Sequence, residues 1–152
     1  MPSKPLLTLA GLISLLALVA VPAAFADQLF HTSHAAVYPV AGAPLQSGFV
    51  NDIHSNGVVN SAHEEYHLNG AQPNTTYQVQ LVIYGDPSCA GSPFLTIPAA
   101  MVTTNGAGNG NADATFPAGP PNNPPLRVGI VWQFIANGAP VYATDCVQVS
   151  VD

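Results

Sequence analysis

The sequence predicts an all-β protein, a two-sheet sandwich of about seven or eight short strands that follows a cleavable signal peptide. Three observations predict it. Apolar and polar side chains alternate at the period of a strand, and Asn-Gly pairs and prolines separate the alternating runs. No stretch of residues 27–152 has a helical period without Gly or Pro, so helices are not expected there.

Three runs have the clearest strand pattern. In residues 76–84 an apolar face extends from Tyr77 to Ile83 at period two, with glutamines on the opposite face. Residues 126–135 and 147–151 alternate in the same way, the latter with valines on one face. Weaker candidate strands are residues 35–40, 48–53, 61–68, 99–104 and 111–116.

Turn-forming residues separate these runs. Asn-Gly pairs tolerate the positive φ angles that tight turns require. Pro87 and the proline-rich segment 120–125 are predicted to be loops, because proline cannot donate to a central strand ladder. The Asn-Gly pairs begin at Asn56, Asn69, Asn105, Asn109 and Asn137.

The first 26 residues have the three parts of a secretory signal peptide. Lys4 is a positive charge, residues 6–21 are an uncharged apolar run, and Ala24 and Ala26 are the small residues of a cleavage site. As an uncleaved membrane anchor the run is short, since a span needs about 20 apolar residues. We therefore expect cleavage after residue 26 and a single secreted domain, residues 27–152, that is extracellular or at the cell surface.

Cys89 and Cys146 are the two cysteines of the chain. An even number of cysteines in an oxidising compartment predicts a disulfide. In the chain-entropy model, a crosslink that closes a loop of about 57 residues stabilises the fold by about 4 kcal/mol. A reactive or metal-binding thiol pair is expected at C-x-x-C spacing, which these two residues do not have.

Charged side chains are sparse in the predicted domain. Removal of Lys4 with the signal peptide takes the formal net charge from −6 to −7 and leaves Arg127 as the one Lys or Arg side chain. Nucleic acid and anionic lipid are therefore excluded as partners, because no basic cluster can meet their phosphates. A surface of amides and hydroxyls suits a protein or glycan ligand, and the shortage of edge lysines permits self-association.

One segment resembles a known family. LNGAQPNTTYQV at residues 68–79 resembles the L-x-G-x-x-P-x-T-x-Y-x-V stretch of fibronectin type III and related immunoglobulin-like domains. The resemblance implies an immunoglobulin- or fibronectin-like sandwich. It makes Tyr77 a tyrosine corner, with its hydroxyl bonded to upstream backbone where the chain passes between sheets. Trp132 departs from the fibronectin pattern, in which the core tryptophan precedes this motif.

Residues 63–67, HEEYH, match the H-E-x-x-H pattern of zinc peptidases. On a helix, His63 and His67 would bind one Zn²⁺ while Glu64 activates a bound water. Pro73 occupies the third ligand position of the longer metzincin pattern, and nearby glycines leave little room for a helix. The segment is therefore predicted to be a strand, and a secreted metallopeptidase is only the second alternative function.

On a strand, the same residues divide between two faces. Tyr66 and Leu68 point inward, whereas His63, Glu65 and His67 share the outward face with neighbouring Cβ atoms about 7 Å apart. Histidines with this spacing can be copper or zinc ligands. The competing interpretation is an ordinary solvated polar face.

A second resemblance points to the same metals. SHAAVYPVAGA at residues 33–43 resembles the opening of periplasmic CopC-type copper-binding sandwiches, which implies that His34 is a further ligand. Those proteins also bind metal through an N-terminal histidine, whereas cleavage here leaves Asp27 first. Calcium has less support, because the alternation of Asn109, Asn111 and Asp113 lacks the glycine and glutamate of an EF-hand loop.

Together these features predict a secreted, non-catalytic β-sandwich that acts as an interaction or cell-surface module. The first alternative is an extracytoplasmic copper- or zinc-binding protein that uses His34, His63, Glu65 and His67. A metallopeptidase built on residues 63–67 is the second.

Overall fold

The computed structural model describes residues 30–55, 60–119 and 126–151, which form strands and loops without a helix. The predicted signal peptide, the Asn56 turn and the proline-rich segment 120–125 lie outside the described residues. Within the described part of the chain, no helix is long and apolar enough to cross a membrane. The strands are β1 (Phe30–Pro39), β2 (Ser47–Ser55), β3 (Asn60–Asn69), β4 (Thr76–Tyr84), β5 (Leu95–Thr103), β6 (Gly110–Gly119), β7 (Leu126–Ala136), β8 (Ala139–Thr144) and β9 (Val147–Val151).

All strand pairs are antiparallel and follow one path, β5-β4-β7-β8-β1-β2-β3-β6, with β9 beside β7. β1 links the two halves, because its first part pairs with β2 and Val37–Pro39 pair with β8. The strands at the two ends of the path, β5 and β6, are consecutive in the chain and joined by residues 104–109. The all-β prediction is confirmed, and the strands form a nearly closed sheet.

The three clearest strand predictions are confirmed as β4, β7 and β9, and the five weaker candidates all overlap strands. β8 was not predicted, since it has six residues and Pro140 interrupts its alternation. The turn before it was predicted. Asn137 and Gly138 have φ angles of 52° and 78°, which is the backbone of a tight hairpin between β7 and β8.

The core lies between the two halves of the sheet and is rich in aromatic rings. The inward-facing residues of β4 and β7 predicted from alternation are buried except Ile83, which is half-buried. Trp132, Phe134 and Tyr77 are fully buried. Tyr66 of β3 meets Phe134 edge to face across this core, with ring centroids 6.3 Å apart. Burial of each such side chain stabilises the fold by roughly 1.5–3 kcal/mol.

The predicted disulfide between Cys89 and Cys146 is present and connects the loop after β4 to the junction between β8 and β9. Gly129 of β7 lies directly beneath this loop. A Cβ at residue 129 would lie 2.6 Å from the carbonyl oxygen of Asp86 and 2.7 Å from the sulfur of Cys89. Only glycine therefore lets the disulfide loop pack this closely on β7.

We expect Gly129→Ala to lower the free energy of unfolding by about 1–3 kcal/mol, because the added methyl group displaces the disulfide loop. Urea unfolding followed by tryptophan fluorescence measures the change. Gly106→Ala is the control, since a Cβ there meets no atom within 4 Å. Equal stability of the two variants would show that the loop moves without cost.

Candidate functional site

Strands β1, β2, β3 and β6 lie side by side, and we call the solvent-facing side of this half the outer face. Alternate residues of each strand point to it, and their side chains are half-buried or exposed. The antiparallel register aligns these side chains in rows that cross the four strands. The first row holds Thr32, Ile53, His63 and Thr115, the second His34, Asn51, Glu65 and Asp113, and the third Ala36, Phe49, His67 and Asn111.

Three rings, which we call the ring stack, pack in a row across the outer face, with the planes of His34 and Phe49 tilted by 34°. The ring of Phe49 lies between those of His34 and His67, with centroid distances of 5.0 Å and 4.4 Å, respectively. The planes of Phe49 and His67 are 24° apart, which is a stacked arrangement. Because the three residues come from three adjacent strands, cross-strand packing holds each ring in place.

A hydrogen-bonded row lies beside the ring stack. His34 Nδ1 is 2.7 Å from Asn51 Oδ1, and Asn51 Nδ2 donates to Glu65 Oε2 at 3.1 Å. Since the amide oxygen is an acceptor, we assign the His34 proton to Nδ1. Asn51 thus fixes the orientation of both side chains and links β1 to β3.

The structure does not bring the predicted metal ligands into one site. His34 and Glu65 are joined only through an amide, and the ring of Phe49 separates His34 from His67. His63 and His67 are about 13 Å apart along a strand, whereas two nitrogens on one zinc ion lie within about 4 Å. Among the described residues, no group of three or more His, Cys, Asp or Glu side chains could hold a metal ion.

The outer face ends in a cleft of about 380 Å³ where β2, β3 and the loop between β5 and β6 meet. Among the residues that the structure describes, its lining contains no Asp, Glu, Lys or Arg. His67, at the end of the ring stack, forms part of one wall. The rest of the polar lining is the hydroxyl of Ser47 and four amide side chains, namely Asn69, Asn105, Asn109 and Asn111.

Hydrogen bonds hold the loop of residues 104–109 in one conformation. Asn105 Oδ1 accepts from the backbone N–H groups of Ala107 and Asn109, and Asn109 Oδ1 accepts from Gly70 N at 3.2 Å. This last bond ties the β5–β6 loop to the turn between β3 and β4. A Cβ at Gly108 would lie 2.1 Å from the carbonyl oxygen of Ala71, so the loop packs tightly on the turn between β3 and β4.

Beneath the outer face, the opposite side of β2 and β3 carries a buried polar cluster. Asp52 and Glu64 are paired in register, and their exposed fractions are 0% and 1%. His54 Nε2 lies 2.5 Å from Asp52 Oδ2. Glu64 Oε2 accepts hydrogen bonds from the Tyr66 hydroxyl and, at 2.9 Å, from Trp132 Nε1. The cluster therefore connects β3 to β7 through the core.

Burial raises the pKa of Glu64 from 4.5 to about 7. The hydrogen bond from Tyr66 opposes this rise, and so do the hydrogen bond from Trp132 and the electrostatic interaction with His54. The charge of Asp52 adds to the rise. Burial and the Glu64 carboxylate also raise the pKa of Tyr66. Near neutral pH the Glu64 carboxyl thus exchanges between its protonated and ionised forms inside the core.

The strand conformation of residues 60–69 breaks the geometry that a zinc peptidase needs. Alternation puts Glu64 in the core and leaves His63 and His67 on the outer face. The glutamate and the two imidazoles therefore lie on opposite sides of a sheet and cannot act on one metal-bound water. The same division was predicted from the strand interpretation of HEEYH, including the burial of Tyr66 and Leu68, and is confirmed.

Tyr77, the predicted tyrosine corner, is fully buried and works together with a second tyrosine. Its hydroxyl lies 3.5 Å from that of Tyr142, which donates to the carbonyl oxygen of Pro44 and accepts from Gln72 N. Burial and the Tyr142 hydroxyl raise the pKa of Tyr77, and a hydrogen bond with the Gln72 backbone opposes the shift. The pair ties β4 and β8 to the turn that precedes β4.

Sequence reasoning missed Phe49, whose ring lies between those of His34 and His67. It also missed Asn51, which links His34 to Glu65. It considered Asn105 only as a turn former, and Asn109 only as a turn former and a calcium ligand. A signal for the first two was present, because alternation within residues 48–53 places Phe49 and Asn51 on one face with Ile53. Nothing local indicated which strands flank them, since cross-strand register depends on distant segments.

We expect the stability that Glu64 contributes to depend on pH. The pKa of Glu64 in the folded state lies above its ordinary value of 4.5. The stabilisation by Glu64 is therefore complete below pH 4.5 and is lost as the pH rises through about 7. Between those limits the loss is about 3 kcal/mol. Glu64→Gln removes this titration. The unfolding free energy of wild type minus that of the variant should therefore fall by about 3 kcal/mol as the pH rises from 4.5 to about 7.

Urea unfolding at a series of pH values from 4 to 8 measures this difference. Gln148→Ala, a neutral change at an exposed residue of β9, is the control and should follow wild type throughout. Parallel curves for wild type and Glu64→Gln would show that the pKa of Glu64 is the same in the folded and the unfolded states.

No protein-family model, curated protein or solved structure matches this chain.

Proposed function

We propose that the chain is an exported, non-catalytic binding module that holds an uncharged, polar ligand on its outer face. The observation that carries the proposal is the ring stack of His34, Phe49 and His67 beside a cleft lined by amides. Small-molecule sites commonly combine a ring surface with a few fixed polar groups in a concave wall. The outer face offers that combination on a rigid sheet.

The leader features of residues 1–26 and the disulfide between Cys89 and Cys146 support export. The disulfide is compatible with an extracellular location, because such bonds persist in oxidising compartments. The scarcity of charge supports a ligand recognised by hydrogen bonding, whether at a cell surface or in the surrounding medium.

An immunoglobulin- or fibronectin-like sandwich remains our proposal for the finer fold. Two features support it. β1 divides its partners between the two halves of the sheet, and Tyr77 is buried at the turn where the resemblance to fibronectin type III lies.

The placement of the ionisable groups supports a binding role rather than catalysis. Asp52 and Glu64 are shut inside the core, where a substrate on the outer face cannot reach them. His34 and His63 are hydrogen-bonded to neighbouring side chains, and His67 is stacked on a ring. These contacts favour a fixed recognition surface.

Export is tested by expressing the full chain in a bacterial host and collecting the periplasm and medium. We expect a disulfide-bonded product whose N-terminal sequence begins at Asp27, because the small residues before it suit signal peptidase. N-terminal sequencing and intact mass under non-reducing conditions give the result. A cytoplasmic product that retains residues 1–26 would contradict export.

Binding is tested by applying the processed protein to a surface that carries neutral oligosaccharides and uncharged polar peptides. We expect Phe49→Ala to weaken binding at least about tenfold, because both imidazoles lose their support. Gln148→Ala changes an exposed residue on β9, which pairs with β7 in the other half of the sheet, and should bind like wild type.

Circular dichroism first establishes that both variants are folded. Asn51→Ala gives a second reading, because it loosens His34 and Glu65 without removing a ring. Binding that no outer-face variant changes, or no binding to either class of probe, would refute the proposed function.

A further inference from the structure

We propose that the cleft at the end of the outer face is a saccharide site for a neutral sugar ring. In this arrangement the ring packs against the imidazole of His67, and its hydroxyl groups bond to the amides of Asn105, Asn109 and Asn111. The inference rests on the proposed function, since it names the chemical class of ligand for the same face.

The uncharged lining sets the class of ligand. In the part of the chain that the structure describes, a phosphate, sulfate or carboxylate group finds no Lys or Arg in the cleft lining, and a cation finds no Asp or Glu. Charged ligands would therefore lose their hydration without gaining a countercharge. A neutral ligand rich in hydroxyl groups avoids this cost.

Amides match hydroxyl groups in hydrogen-bonding capacity. Each Asn side chain has two donors and an acceptor oxygen, and each sugar hydroxyl both donates and accepts. Four amides around one cleft can therefore satisfy several hydroxyl groups of one ring. The volume of about 380 Å³ falls in the range of sites for small molecules.

Two of the amides are already oriented. Asn105 Oδ1 accepts from two backbone N–H groups of its own loop, and Asn109 Oδ1 accepts from Gly70 N. Since these oxygens are engaged, the NH₂ groups of Asn105 and Asn109 are the parts that can donate to a ligand. Asn111 is exposed and lies across the strand pair from His67, so its amide completes the wall. A cleft with fixed donors binds with little loss of conformational entropy.

The ring stack supplies the apolar part of recognition. A sugar ring has one or two faces of C–H groups, which pack on aromatic surfaces, whereas a small acyclic polyol lacks such a face. His67 is held at the cleft by Phe49, which is in turn supported by His34. This support presents the imidazole as a rigid platform rather than as a mobile side chain.

The test is a titration of the ¹⁵N-labelled processed protein with glucose, galactose, mannose, N-acetylglucosamine and the β-linked disaccharide cellobiose, followed by NMR. For at least one sugar we expect saturable shifts of the side-chain NH₂ signals of Asn105, Asn109 and Asn111 and of the His67 ring. Glucose 6-phosphate and glucuronate, which carry negative charge, should bind at least about tenfold more weakly than the matching neutral sugar.

Two variants locate the site. Asn111→Ala removes an exposed amide and His67→Ala removes the platform, and each should weaken sugar binding about tenfold. Gln148→Ala removes an exposed amide from β9 and should leave the affinity unchanged. Because Asn111→Ala leaves the core and the loop bonds intact, it reports on the site even where His67→Ala perturbs the sheet.

The outcomes separate the two proposals. Sugar shifts at the cleft that Asn111→Ala removes support the saccharide site. The absence of saturable shifts with every sugar, or shifts unaffected by both variants, overturns it. If the sugars fail while a polar peptide binds and Phe49→Ala abolishes that binding, the outer face is a protein-binding surface, and the proposed function stands without the saccharide site.

Discussion

The hydrogen bond from Trp132 Nε1 to the carboxylate of Glu64 is the contact on which the arrangement of the sheet depends. It joins β7 to β3 through the middle of the core. A buried carboxyl group is costly unless it is hydrogen-bonded or protonated. Glu64 meets the first condition through Trp132 and Tyr66 and, below its raised pKa, also the second. A slip of β3 by one residue would move Glu64 to the outer face and leave Trp132 without its acceptor.

That register also determines what the outer face displays. With Glu64 and Tyr66 inside, His63, Glu65 and His67 must point outward, since side chains alternate along a strand. Pairing of β2 with β3 in the same register then sets Phe49 beside His67 and Asn51 beside Glu65. The side chains that the outer face displays therefore follow from the register that hydrogen-bonds Glu64 in the core.

Local alternation made most of the fold predictable. β4, β7 and β9 follow a regular apolar period, and the division of HEEYH between two faces follows from the same rule. The failures have physical reasons. β8 is short and contains Pro140, and the burial of Asp52 runs against the usual exposure of charged side chains. Phe49 and the cleft amides depend on pairing between distant segments, which a single sequence does not specify.

Closure of the sheet and formation of the cleft are one structural event. The loop between β5 and β6 brings the two edge strands together, and the same loop supplies Asn105 and Asn109 to the cleft. Its path requires Gly108, whose φ of 78° and contact with Ala71 exclude a side chain. The hydrogen bonds that fix this loop also orient its amides. A change that weakens these bonds should therefore reduce both the stability of the contact between β5 and β6 and the order of the cleft amides.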